Sequence, residues 1–179
     1  MNDQPTPIRI LLVDDQPLFR RAIATLIDAQ PDLEVVGQGS NGLEGVEMAH
    51  QLLPDVLLMD VEMPVMNGVE AAGRVLEDLP GTKVILLTVS EDDEYLLPAV
   101  RQGVHGYLLK DMHPDELFET FRLGKSSDPK PLPLSEQGEK NWAAAKAKAK
   151  AAAASASPAP AASATPVVPG TTPSATPTR

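Results

Sequence analysis

The sequence predicts an α/β fold, a doubly wound five-stranded parallel sheet with helices on both faces, and three observations carry that expectation. Five short runs rich in Val, Ile and Leu recur from Ile8 onward, the composition of parallel strands buried on both faces. Amphipathic segments with apolar residues at helical spacing follow each of them. The alternation is strict, so each segment can serve as a crossover helix that covers one face of the sheet.

The first run, Ile8 to Val13, ends on Asp14 and Asp15. Pro17 opens the first helix, because proline's fixed φ suits the first turn and its missing N–H has no partner there anyway. Leu18, Ala22, Ile23, Leu26 and Ile27 form the apolar stripe of that helix until Pro31 stops it. The second run is Leu33 to Val36, and the helix after it carries Leu43, Val46 and Ala49 and ends before Pro54. The third, Val56 to Met59, delivers Asp60, and a helix follows Gly68 through Val69, Ala72, Val75 and Leu76. The fourth, Val84 to Leu87, precedes Thr88, with a helix near Tyr95, Leu96, Ala99 and Val100. The fifth, Gly106 to Leu109, leads to Lys110 and to a helix that begins at Pro114 with Leu117, Phe118 and Phe121.

After Gly124 the pattern collapses. Half of the 18 prolines lie from Pro129 onward, Trp142 is the only aromatic, and the large apolar residues reduce to Leu132, Leu134, Val167 and Val168, too few for a core. The expected organisation is an N-terminal extension over 1–7, a domain over 8–124, a linker over 125–134, a candidate Ala/Lys-rich helix over 135–154 and a disordered Ala/Pro/Ser/Thr-rich tail over 155–179. Charge divides the same way. Through Gly124 there are 8 Lys and Arg against 22 Asp and Glu, a net of −14, and beyond it 7 against 3, a net of +4. The acidic part would repel nucleic acid and anionic membrane, which argues against direct DNA binding there, whereas the tail could be drawn to phosphate.

Cysteine is absent, which excludes disulfides, thiolate catalysis and cysteine-based zinc sites. His50, His105 and His113 are isolated and lack metal-ligand spacing. No apolar run reaches the length of a membrane span and no signal-peptide pattern opens the chain, so a cytoplasmic location is expected.

The strand ends hold the chemistry. In a parallel sheet the C-terminal ends of all strands share one edge, where ligands bind. Asp14, Asp15, Asp60, Thr88 and Lys110 all fall there. Each has an ordinary explanation alone: a helix cap, an Asx turn, a β-branched strand residue, a surface charge. Their joint occurrence on four strand ends is what needs a common cause. Three converging carboxylates repel one another and call for a divalent cation, and hard oxygen ligands open to water and phosphate suit Mg²⁺. With a phosphoryl donor, Asp60 can act as nucleophile while Lys110 neutralises charge on the phosphoryl oxygens and Thr88 offers a hydroxyl. The product is an aspartyl phosphate, whose ready hydrolysis suits a reversible switch.

The motifs LLVDDQPLFR, DVLLMDVEMPVMNG, VILLTVS and GYLLKD together resemble the receiver domain of two-component response regulators, a CheY-like fold, over residues 8–124. The resemblance implies strand order 2-1-3-4-5, phosphorylation at Asp60, and Mg²⁺ held directly by Asp15 and Asp60, through water by Asp14, and by the backbone carbonyl of Glu62. It further implies that Thr88 and Tyr107 form a switch pair in which Tyr107 moves inward as Thr88 closes on the phosphate. A cognate sensor histidine kinase or phosphotransfer protein would supply the phosphoryl group, with a downstream protein target and a homodimer as further partners. DDQPLFRRAI, QGSNGLEGV and GYLLKD are similar to regulators of the NarL/FixJ type, which continue into a DNA-binding helix-turn-helix. That continuation is not recognisable, and Leu134 to Glu139 only faintly echoes its opening. Val89 after Thr88 is larger than the residue common there and should restrict access to the phosphate, and Asp111 replaces a frequent proline, so a cis peptide after Lys110 is not expected.

The leading expectation is therefore a phosphoacceptor signalling domain, not an enzyme with turnover. The alternative is a transcription regulator whose tail contacts DNA through Lys140, Lys146, Lys148 and Lys150, although base-reading groups are absent. An aspartyl-phosphate phosphatase is a remote third, because that chemistry wants an Asp-x-Asp pair on the first strand and this chain has adjacent acids there.

Overall fold

The computed structural model describes residues 6–89, 94–124, 140, 143–148, 150 and 151. Ten elements alternate along the chain: β1 (Ile8–Val13), α1 (Pro17–Asp28), β2 (Leu33–Gly39), α2 (Gly42–Leu52), β3 (Val56–Asp60), α3 (Gly68–Asp78), β4 (Lys83–Thr88), α4 (Leu96–Gln102), β5 (Gly106–Leu109) and α5 (Pro114–Gly124). The strands form one sheet in the order β2-β1-β3-β4-β5, every adjacent pair parallel. From β1 the chain steps outward to β2 and then back across to β3. The winding therefore reverses between β1 and β3, and the crevice at a topological switch point opens at their C-terminal ends.

The sheet separates two cores. Residues one apart on a strand face opposite sides, so Leu11, Val13, Leu57, Met59, Val84 and Leu86 join the core shared with α2, α3 and α4. Their neighbours Ile10, Leu12, Leu58, Ile85, Leu87 and Leu108 join the core under α1 and α5. Phe121 anchors α5 with no exposed surface, and truncating it to alanine would cost about 3–5 kcal/mol. At the end of the same helix, Arg122 makes a two-point contact with Asp32, at 2.7 and 2.9 Å.

Two details differ from the sequence expectation. β2 runs past Val36 to Gly39, because pairing with β1 overrides the poor strand propensity of Gly-Gln-Gly; Val36 itself is skipped, with Ile10 opposite Val35 and Leu11 opposite Gly37. In α1 the core-facing stripe is Ala24 and Ile27, buried, with Phe19 and Ile23, partly buried, packed beside them, while Leu18 is 83 % exposed and Leu26 39 %. Residues 18/22/26 and 19/23/27 make two apolar rows one position apart, and only the second faces the sheet.

Of the candidate helix over 135–154, residues 140, 143–148, 150 and 151 are helical. The linker over 125–134, the tail over 155–179 and most of the N-terminal extension lie outside the described residues. Among the described residues no helix is long and apolar enough to cross a membrane.

Candidate functional site

The five residues expected at the strand ends come together at one edge. Asp60 closes β3 and Thr88 closes β4, while Asp14 and Lys110 stand one residue beyond β1 and β5. Pleating sorts them. Asp60 has the parity of Leu58, and by continuation Asp14 follows Leu12 and Lys110 follows Leu108, so these three lie toward α1 and α5. Thr88 shares the parity of Leu86, whose register partner is Tyr107, and so lies toward α3 and α4. Asp14 is fully buried and Asp60 only 3 % exposed, whereas Asp15 is open to solvent.

Two buried carboxylates share one ammonium. Lys110 Nζ donates to Asp60 Oδ2 at 2.8 Å and lies 2.9 Å from Asp14 Oδ2. Burial pushes the Asp60 carboxyl above its ordinary range, aided by the charge of Asp14 and opposed by the hydrogen bond and charge of Lys110. Burial also works against the Lys110 ammonium, but its contacts with Asp60 and Asp14 outweigh it and hold its pKa above the usual lysine value. Removing that ammonium would leave two carboxylates facing each other, and breaking a buried pair in this way costs about 3–5 kcal/mol. Asp14 is fixed further: its Oδ1 accepts from the Gln16 backbone N–H at 2.7 Å and its carbonyl accepts from Arg20.

One oxygen each from Asp14, Asp15 and Asp60 lies within 4.8 Å of the others. A single ammonium does not balance three carboxylates. An all-oxygen donor set with one member open to water is the chemistry of a hard divalent cation such as Mg²⁺. Beside the carboxylates is a pocket of about 170 Å³ lined by Asp15, Gln16, Asp60, Glu62, Thr88, Val89 and Lys110. Val89, 71 % exposed, forms part of its rim.

The loop from Asp60 to α3 is held tightly. Val61 N–H donates to Leu87 O at 2.9 Å, and Gly68 N–H closes the loop onto Val61 O at 2.8 Å. A Cβ on Gly68 would sit 2.1 Å from the carbonyl oxygen of Asp60, so only glycine permits this approach. Between them Met66 N–H donates to Pro64 O at 2.8 Å, a γ-turn centred on Val65 at φ 71°. Glu62 N–H reaches toward Asp60 Oδ1 at 3.4 Å, a long contact, and the residue, exposed to solvent, is part of the pocket lining.

Thr88 is 2 % exposed and still borders the pocket. Tyr107, 4 % exposed, packs in the core with Leu86, Ala99 and Val104, so the expected switch pair lies on the α4 side with the tyrosine turned inward. No peptide bond among the described residues is cis, including the one after Lys110. The sequence reasoning missed Gln16, whose role is played by its backbone, and Phe19, whose ring lies 4.9 Å from Lys110 Nζ. The signal for Phe19 was its row with Ile23 and Ile27.

Comparison with known proteins is consistent with this geometry. Residues 10–122 match the response regulator receiver domain. The nitrate/nitrite response regulator protein NarL of Escherichia coli K12 is 42 % identical over 122 residues, covering 68 % of this chain and 56 % of NarL. The transcriptional regulatory protein LiaR of Bacillus subtilis is 41 % identical over 123 residues, covering 69 % of this chain and 58 % of LiaR. The chain thus spans little more than half the length of these curated relatives. Among solved structures, the response regulator domain of Thermotoga maritima CheB superposes with a TM-score of 0.63 at 36 % identity, over 69 % of this chain and 99 % of that one.

Proposed function

The chain belongs to the response regulator receiver family, its residues 10–122 carrying the domain, and from that premise we propose that Asp60 accepts a phosphoryl group in a Mg²⁺-dependent reaction and so switches a partner-binding surface. One observation carries the reading. Three carboxylate oxygens converge within 4.8 Å at the carboxyl edge of the sheet, and a lysine stands 2.8 Å from the candidate nucleophile.

An Asp60 carboxylate oxygen attacks phosphorus, the new O–P bond forms, and the bond to the leaving group breaks with its electron pair departing on that group. Lys110 exchanges its contact with Asp60 for the phosphoryl oxygens, and Thr88 supplies a hydroxyl donor from the opposite side of the pocket. Asp14, Asp15, Asp60 and the Glu62 carbonyl would hold Mg²⁺, which when bound offsets charge on the phosphoryl oxygens. Formation of the acyl phosphate, a mixed anhydride, removes the Asp60 carboxylate charge and adds phosphoryl oxygens beside Thr88. That local change of charge is what would bias the Thr88–Tyr107 pair and the α4 surface behind it.

Response regulators of this kind work with sensor histidine kinases; here a cognate kinase or phosphotransfer protein is the proposed donor, and a protein docking near Tyr107 the proposed target. The reading is tested with acetyl phosphate and Mg²⁺. The native chain should take up one phosphoryl group and Asp60→Asn none, and equal labelling of the two would sink the assignment.

A second reading rests on the names of the relatives, two of which are a transcriptional regulatory protein and a nitrate/nitrite response regulator. If the signal ends at DNA, contact should come from outside the acidic receiver. Salt-sensitive binding of duplex DNA that disappears when Lys140, Lys146, Lys148 and Lys150 are replaced by glutamine would support it.

A further inference from the structure

We infer that Phe19 is a positioning residue for this phosphoryl transfer, its ring serving as a fixed, uncharged seat for the Lys110 ammonium. The inference rests on the phosphoacceptor reading of Asp60 and assigns how Lys110 is kept in place during the reaction.

Lys110 Nζ has neighbours of two kinds: the carboxylates of Asp60 at 2.8 Å and Asp14 at 2.9 Å, and the Phe19 ring at 4.9 Å from its centroid. The reaction engages the first two. Asp60 loses its charge when it becomes an acyl phosphate, and Asp14 belongs to the oxygen set that fits a cation. The ring takes part in neither event. A phenyl face attracts a cation through its quadrupole within about 6 Å, and more strongly where water is excluded. Here only 9 % of the lysine side chain is exposed.

The fold holds the ring more firmly than it could hold the lysine. Phe19 is the third residue of α1 and stands in line with Ile23 and Ile27, one and two turns further on. It packs against the core built by Ile10, Leu12, Leu58 and Leu87, on the side of the sheet toward which Asp60 and Lys110 project. A phenyl ring has two side-chain torsions and a lysine four. With its carboxylate partners drawn into the chemistry, an unseated ammonium would have several rotamers open to it and would lose its alignment with the transferred group. Leu18, one residue earlier, is 83 % exposed and cannot substitute for the ring.

The test uses the full chain, acetyl phosphate and Mg²⁺, with the rate of phosphoryl uptake measured at saturating donor. Phe19→Leu keeps an apolar side chain against the core and removes the π face; its rate should fall about fivefold to tenfold. Phe19→Tyr should react within about twofold of the native chain, since the aromatic face remains. The Cε protons of Lys110 give a second, non-kinetic readout: a ring-current displacement in the NMR spectrum of the native chain and Phe19→Tyr, absent in Phe19→Leu. If the leucine variant does not fold, Phe19→Met carries the same expectations. A leucine or methionine variant with native rate and unchanged Lys110 shifts would overturn the inference, as would a tyrosine variant as slow as leucine, which would reduce Phe19 to packing. Labelling of the native chain but not of Asp60→Asn keeps those results separate from a failure of the phosphoacceptor reading, and absence of label from the native chain overturns both.

Discussion

Replacing Val65 by glycine should stabilise the protein by about 0.5–1.5 kcal/mol, although it removes a side chain and adds no contact. Val65 sits at φ 71° in the γ-turn closed by Met66 N–H on Pro64 O. A non-glycine residue in the left-handed region is disfavoured by about 1–2 kcal/mol, and a β-branched one, a clear outlier there, lies at the upper end, about 1.5–2 kcal/mol. Glycine relieves that clash but makes the unfolded chain more flexible, which takes back about 0.5–1 kcal/mol. The valine side chain is 79 % exposed, so its loss forfeits little burial. The turn persists despite the strain because it is fixed at both ends, by Gly42 N–H on Met66 O at 3.2 Å and by Gly68 N–H on Val61 O at 2.8 Å. At about 4 °C per kcal/mol for a domain of this size, thermal unfolding by circular dichroism should show Val65→Gly melting about 2–6 °C above the native chain. Val65→Ala is the control, since alanine keeps the Cβ and most of the left-handed penalty. Equal midpoints for the glycine and alanine variants, or a glycine variant below native, would refute the reasoning.

The remaining expectations follow from other contacts. Gly68→Ala should destabilise by about 3 kcal/mol, because the added Cβ would meet the Asp60 carbonyl at 2.1 Å and backbone must move; denaturant titration measures it, and a loss near zero would contradict the packing. Mg²⁺ at ten times its dissociation constant should stabilise the native chain by about 1.4 kcal/mol and Asp60→Asn by much less, read as the shift in melting midpoint on adding the ion. His50 places Nδ1 2.8 Å from Val46 O and Nε2 3.0 Å from Asp78 Oδ2, two acceptors that each call for a donating ring N–H, and these contacts, the Val46 carbonyl first, raise its pKa above 6.5. Its charged form is therefore favoured by folding. That contribution is fully present below the unfolded value near 6.5 and fades as pH rises through the higher folded value. The melting difference between the native chain and Asp78→Ala should thus be larger at acidic than at alkaline pH, and a difference independent of pH would remove His50 from the account.

Much of the fold was legible because parallel strands covered on both faces leave dense apolar runs, and all five appear where Val, Ile and Leu concentrate. The same logic reached the site: in a parallel sheet, knowing where strands end is nearly knowing where chemistry gathers. What the runs could not say was how far β2 extends, since Gly37, Gln38 and Gly39 are strand residues only through their pairing with Leu11, Leu12 and Val13. Nor could periodicity choose between the two apolar rows of α1, one position apart. The stripe named from the sequence mixed the two rows, holding Ile23 and Ile27 but starting at Leu18, and so left out Phe19, which meets Lys110 only once α1 is docked on the sheet. Gln16 was invisible for another reason, since it acts through a backbone N–H that any residue there would supply. The pairing of Thr88 with Tyr107 came from family resemblance, and the structure adds that both lie on the α4 side of the sheet while the three charged groups lie on the other.

The most direct test of the central claim is to find the phosphoryl group. The native chain, treated with acetyl phosphate and Mg²⁺, trapped by borohydride reduction and digested, should yield one modified peptide, and fragmentation should place the change on Asp60. The modification should vanish when Mg²⁺ is chelated. Label on any other residue, or a change at Asp60 that forms equally well without a divalent cation, would contradict the account.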